Sequence, residues 1–169
     1  MSILPILRFP DARLRRPCLP VGTVDAAVRQ LAGDMLETMY HANGRGLAAP
    51  QVGVLRRLFV MDPDWKEGAP APLAYVDPEI LDAADAQHTG PEGCLSIPSV
   101  PVMVTRPEWV VLRWTGLDGQ TQREKLTGAA AICAQHELDH LNGRLIIDLM
   151  DEGARCAASP CLAAMGGAA

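Results

Sequence analysis

Residues 128–142 run Gly128-Ala129-Ala130-Ala131-Ile132-Cys133-Ala134-Gln135-His136-Glu137-Leu138-Asp139-His140-Leu141-Asn142. The first half is apolar all round, which predicts a helix buried on every side rather than an amphipathic surface helix. The second half carries two histidines four residues apart, with a glutamate directly after the first. Histidines at i and i+4 lie on one helical face, so both imidazoles reach a single metal ion. Glu137 is then close enough to take a proton from a water that such an ion activates. A metal site needs a dry, shaped cavity, and the apolar run before His136 supplies the burial.

A catalytic site of this kind needs a third protein ligand. Downstream, Asp148, Asp151, Glu152, Cys156 and Cys161 stand in no recognisable context. Upstream there are two better candidates. Cys133 shares the helix face of His136, and Cys94 lies in Gly90-Pro91-Glu92-Gly93-Cys94-Leu95-Ser96. A thiolate is a good metal ligand. Spacing alone leaves both open, although a lone Cys133 in an apolar run reads first as a small buried residue.

Working outward, residues 25–42 predict a second helix. Asp25 is a suitable N-cap, Val28, Leu31, Met35 and Met39 form one apolar stripe, and Asn43-Gly44 ends it. Leu58–Met61 and Leu73–Val76 read as strands, the latter closed by Asp77-Pro78. Residues 100–104 and 108–114 have strand composition, and the turn at 117–120 leads into a hairpin with 121–126. Strands in succession followed by a helix give an α+β class. The expected architecture is antiparallel sheets packed around a central buried helix carrying H-E-x-x-H, with an amphipathic N-terminal helix beside it. Residues 1–24 read as extended chain punctuated by prolines, and the Ala/Gly-rich residues 152–169 as a tail that is weakly helical or loose.

Composition bounds the function. The chain has 169 residues, 49% apolar and 21% charged, enough for one ordinary domain. The net charge of −5 gives no general attraction to nucleic acid or to an anionic membrane. No apolar run is long enough to span a bilayer, and the start has no signal-peptide pattern, so a cytoplasmic location is expected. Five scattered cysteines argue against a disulfide framework.

One more segment stands out: Gly44-Arg45-Gly46-Leu47-Ala48-Ala49-Pro50-Gln51. Glycines two apart let backbone approach a ligand, and the Gln51 amide can donate to a developing oxyanion. The segment lacks the Lys-Ser/Thr ending of a phosphate loop.

Together, Gly44 to Gln51, Glu92 to Ser96 and Gln135 to His140 resemble, in that order, the G-x-G-x-A-A-x-Q, E-G-C-x-S and Q-H-E-x-D-H motifs of peptide deformylases. The similarity begins near Ile6-Leu7-Arg8 and runs to about Met150. The resemblance implies a catalytic domain over residues 1–151 with residues 152–169 as a tail. It implies one divalent metal held by Cys94, His136 and His140, usually Fe²⁺ in the cell, with Zn²⁺, Ni²⁺ or Co²⁺ able to occupy the site. It also implies removal of the formyl group from the N-terminal formylmethionine of new proteins. Glu137 would be the general base, with Gln51 and the Leu95 N–H holding the oxyanion. Gly46 and Gly93 would pair with substrate backbone, Ile132 and Cys133 would wall the side-chain pocket, and Glu92, Arg106 and Asp139 would orient the ligands. Other readings on the same fold are a metallo-amidase for another N-acyl peptide and a binding protein with little turnover.

Four departures from the family pattern carry expectations. Arg45 replaces a common apolar residue and would favour acidic substrates at the mouth. Pro101 lies where a basic or glycine residue is frequent, and Ala129, Ala130 and Ala131 are smaller than the usual residues at the start of the helix. After Arg144 the only Lys or Arg is Arg155, against Asp148, Asp151 and Glu152. Transient ribosome contact would therefore have no basic C-terminal helix to support it.

Overall fold

Helix α1, Ala26–His41, starts where the Asp25 carboxylate accepts the Val28 N–H at 2.9 Å. This satisfies one of the free donors that every helix start exposes. In the computed structural model, which describes residues 2–166, seven strands follow. They are β1 (Gly46–Ala48), β2 (Leu58–Met61), β3 (Leu73–Ala83), β4 (Gln87–Cys94), β5 (Ile97–Pro107), β6 (Trp109–Thr115) and β7 (Thr121–Thr127). Helix α2 spans Gly128–Leu141 and helix α3 spans Glu152–Gly166.

The class is α+β with antiparallel sheets. One sheet has five strands in the order β1-β2-β3-β6-β7, and β4 and β5 form a separate two-stranded sheet. Helix α1 lays Ala32, Met35 and Met39 on Leu47, Leu58, Val60, Ala74 and Val76 of the larger sheet. Helix α2 packs Ala131, Ala134, Leu138 and Leu141 against Phe59, Tyr75, Val110, Leu112 and Trp114. With few aromatics in the chain, Tyr75 is shared: it stacks on Phe59 and tilts against Trp114, both at 4.7 Å between ring centroids.

Several segments differ from the sequence reading. Strand β3 does not end at Asp77-Pro78. Its register with β6 shifts between Val76 and Glu79, so the strand absorbs the proline in a bulge. Asp77 adopts φ +48° there, and its carboxylate accepts the Val21 and Gly22 N–H groups. Gly46–Ala48, within the glycine-rich segment that the sequence assigns to no element, is a strand, because it pairs with Phe59–Met61. Strand β4 forms from Gly- and Pro-containing sequence by pairing along the longer β5, whose Val100, Val102 and Val104 turn inward. Residues 152–166 of the tail are helical. Half-buried Ala158, Leu162 and Met165 of α3 pack against a buried cluster that includes Leu14, Val100, Val102, Leu145 and Ile146. Among the described residues, no helix is long and apolar enough to cross a membrane.

Candidate metal centre

The two sheets meet at α2, and the polar residues of that helix face the junction. His136 and His140 are one turn apart, with ring centroids at 5.0 Å. Strand β4 ends at Cys94, which faces Ile97 across a tight turn into β5. The Cys94 Sγ lies 3.2 Å from His140 Nε2, and one ligand atom from each of Cys94, His136 and His140 falls within 4.8 Å of the others. A soft thiolate with two imidazoles suits a divalent transition metal. All three residues are less than one-tenth exposed. Cys133 lies outside this trio: its Sγ donates to the Arg45 carbonyl at 3.6 Å.

Of the three, His136 is held from behind. His136 Nδ1 meets Glu92 Oε2 at 2.9 Å, leaving Nε2 for the centre. Glu92 receives two bonds from Arg106, Nε to Oε1 at 2.5 Å and Nη2 to Oε2 at 3.0 Å. Arg106 Nη1 also donates to Asp139 at 3.0 Å. Burial opposes ionisation of Glu92, but hydrogen bonds from His136 and Arg106 outweigh it and hold its carboxyl below the usual range. Glu92, Arg106 and Asp139, singled out in the sequence, thus form one buried network touching His136. Burial, then the charges of His136 and Arg106, drive the His140 pKa well down, so its imidazole is neutral. His140 Nδ1 is buried without a hydrogen-bond partner among the described residues.

Glu137 is 3% exposed, and its Oε2 also has no partner among the described residues. Burial pushes its carboxyl up to about 7, with His136 pulling down and Glu92 pushing up. A carboxyl near neutrality is suited to both taking and giving a proton. Gly46 is required beside it: a Cβ there would run into the Glu137 carboxylate and stand 2.8 Å from Cys133 Sγ. Gln51 is 2% exposed and oriented by its own turn, since its Oε1 accepts the Ala48 N–H at 2.8 Å. Its Nε2 therefore faces inward, 3.7 Å from Cys94 Sγ and 3.2 Å from Ser96 Oγ.

A cleft of about 750 Å³ opens over these groups. Its lining includes Gly46, Gln51, Gly93, Leu95, Ile132, Cys133 and Glu137. Of the three alanines, Ala129 faces the cleft, whereas Ala131 is fully buried in the core. Gly93 has open space where a side chain would stand. Arg45 lines the mouth but offers no free cation, because its guanidinium grips both oxygens of Glu67, at 2.5 and 2.9 Å, and the Pro63 carbonyl. A second cleft of about 610 Å³ lies behind the Arg106–Asp139 pair, lined also by Arg57 and Arg144, and contains none of the three ligands.

Sequence reasoning gave no role to Ser96, fully buried beneath Gln51, or to Arg8, which donates to the Leu95 carbonyl. Ser96 sits inside a recognised motif, so its position was a signal. The Arg8 contact spans 87 residues of chain and has no local signature.

A family model described as polypeptide deformylase matches residues 3–155. A peptide deformylase of Alkalilimnicola ehrlichii is 50% identical over 152 residues, covering 90% of this chain and 84% of that protein. One of Mesorhizobium japonicum is 47% identical over 148 residues, covering 88% and 84%. The crystal structure of a peptide deformylase from Legionella pneumophila superposes with a TM-score of 0.89 at 38% identity, over 96% of this chain and 95% of the other. That of Synechococcus elongatus in complex with actinonin gives 0.90 at 38% identity, over 98% and 89%.

Proposed function

This chain belongs to the polypeptide deformylase family, and on that premise we propose that it hydrolyses the N-formyl group of formylmethionyl peptides, releasing formate. The observation that carries the reading is a buried, unpartnered Glu137 carboxylate oxygen one residue from His136 in the Cys94–His136–His140 cluster. A divalent metal held by those three residues would supply Lewis acidity at the formyl oxygen and a water of lowered pKa. Fe²⁺ is the expected ion in the cell, with Zn²⁺, Ni²⁺ or Co²⁺ as replacements.

Glu137 takes the proton of the attacking water as oxygen adds to the formyl carbon. It then delivers that proton to the peptide nitrogen as the C–N bond breaks, leaving formate and a free amine. Negative charge on the formyl oxygen is met by the Gln51 amide, aimed by the Ala48 N–H, and by the Leu95 N–H. Glu92 keeps His136 turned toward the centre, with Arg106 and Asp139 keeping Glu92 in place. The chain segments at Gly46 and Gly93 offer backbone edges to an extended peptide, a mode that selects weakly beyond the first side chain. Ile132 and Cys133 wall the pocket for that side chain.

Residues 1–151 form the catalytic unit in this reading, and the protein works in the cytoplasm. Helix α3 carries Arg155 as its only basic residue, so it contributes little to docking on ribosomal RNA.

The test is formate release from a formyl-Met tripeptide by protein purified without oxygen and loaded with Fe²⁺ or Ni²⁺. Glu137→Gln is expected to lower kcat by about a hundredfold or more while keeping one metal per chain. Equal turnover by the variant would remove Glu137 from its role, and no formate from the metal-loaded parent would remove the function.

A further inference from the structure

The chain carries a net charge of −5, yet the charged side chains at the solvent edge of the catalytic cleft are all cationic: Arg8, Arg45 and Lys66. The two carboxylates that line the cleft, Glu92 and Glu137, are 9% and 3% exposed and lie at its floor. Asp64 and Glu67, neighbours of Lys66 in the chain, do not line the cleft.

The three cations are not equivalent. Arg45 is neutralised by both oxygens of Glu67. Lys66 donates from Nζ to the Asn43 carbonyl at 2.6 Å and stands 5.5 Å from the Trp65 ring centroid. Trp65 is itself fixed, its indole N–H on the Gly44 carbonyl at 2.8 Å and its ring edge-to-face with Tyr40. Arg8 donates to the Leu95 carbonyl. Among the described residues, neither Arg8 nor Lys66 lies within salt-bridge reach of a carboxylate. Carbonyl oxygens hold these groups in place; the Glu67 carboxylate, gripped by Arg45, feels Lys66 only through space. One cation is anchored beside Gly44–Gly46 and the other beside Cys94, so cationic charge with no direct carboxylate partner stands at both of these segments of the cleft.

We propose that Lys66 and Arg8 make this enzyme select formylated peptides that carry an acidic side chain at the second or third residue. The inference rests on the deformylase reading of the same cleft. An extended chain advances about 3.3 Å per residue, so these residues emerge roughly 3 to 7 Å beyond the first, from the buried floor toward the exposed edge. Arg45, the residue that the sequence singles out for this task, contributes little because Glu67 already occupies it.

The measurement is kcat/KM for formyl-Met-Ala-Glu, formyl-Met-Ala-Gln and formyl-Met-Ala-Lys, at about 20 mM and about 300 mM salt, with the Gln peptide as reference in each protein. Exposed ion pairs of this type give about a twofold to fivefold preference. The Glu peptide should exceed the Lys peptide by about fivefold at low salt, through KM, with the gap closing at high salt. Lys66→Gln should bring the ratio toward one, and Lys66→Glu should invert it. Turnover without charge preference, or a preference unmoved by Lys66→Glu, would overturn the inference and leave the deformylase reading standing. No turnover of any of the three peptides would remove that reading and the inference with it.

Discussion

Two helices of nearly equal length, α2 with 14 residues and α3 with 15, are built on opposite terms. Eight residues of α2 are buried, and four of them are Gln135, His136, Glu137 and His140. No residue of α3 is fully buried, and Pro160 interrupts its backbone bonding from within. Helix α2 lies where the two sheets converge, so its polar groups are out of water and must find partners or serve chemistry. Helix α3 rests on the surface through Ala158, Leu162 and Met165, and its other residues are exposed. A helix full of small and apolar residues therefore has two readings. What separates α2 from α3 is the set of residues elsewhere in the chain that close over it: Glu92, Cys94, Arg106 and Gln51.

The contrast breaks first if the partners of α2 are removed. Arg106→Met leaves buried Glu92 with His136 alone and Asp139 with only the exposed Arg144 at 3.7 Å. Denaturant unfolding should show a loss of about 3 to 5 kcal/mol, the usual result of stripping one member from a buried charged set. A loss below about 1 kcal/mol would mean that the network is wetter than its burial implies.

Truncating one leucine on each helix sharpens the comparison. Leu141 of α2 is fully buried, so Leu141→Ala should cost about 2 to 5 kcal/mol. Leu162 of α3 is half-buried, and Leu162→Ala should cost less than about 1 kcal/mol. Equal losses would show α3 to be as integral as α2.

The joint between the helices offers a smaller, pH-dependent effect. Asp148 lies in the one-turn helix Ile146–Leu149, pairs with Arg15 and accepts the Leu145 N–H at 2.8 Å. Burial raises its pKa, but the bonds from Arg15 and Leu145 prevail and lower it below the ordinary 3.8. A depressed carboxyl stabilises the fold above its unfolded pKa and stops doing so as pH falls through the native one. Asp148→Asn should therefore cost about 1 kcal/mol at neutral pH, with the gap closing below about pH 4. A gap that widens in acid would contradict this.

The sequence made α1, α2 and the β6–β7 hairpin legible because each is specified locally, by a cap, a periodicity or a turn. It left β4 hidden, since Gly90, Pro91 and Gly93 have no strand propensity and the strand exists only through pairing with β5. The break expected at Asp77-Pro78 was a bulge, because a proline signal does not reveal the neighbouring strand that tolerates it. At the site, the histidine spacing was readable, whereas the choice between Cys94 and Cys133 was open by spacing because it depends on how β4 folds back over α2. The Arg45–Glu67 pair was invisible for the same reason: a charge in sequence does not announce the partner that cancels it.

The central claim is that Cys94, brought in by β4, joins His136 and His140 of α2 around one ion. X-ray absorption at the metal edge of the loaded protein tests it directly. The account predicts one sulfur and two imidazole nitrogens, with the sulfur signal lost in Cys94→Ala and kept in Cys133→Ala. Sulfur retained in Cys94→Ala and lost in Cys133→Ala would contradict it.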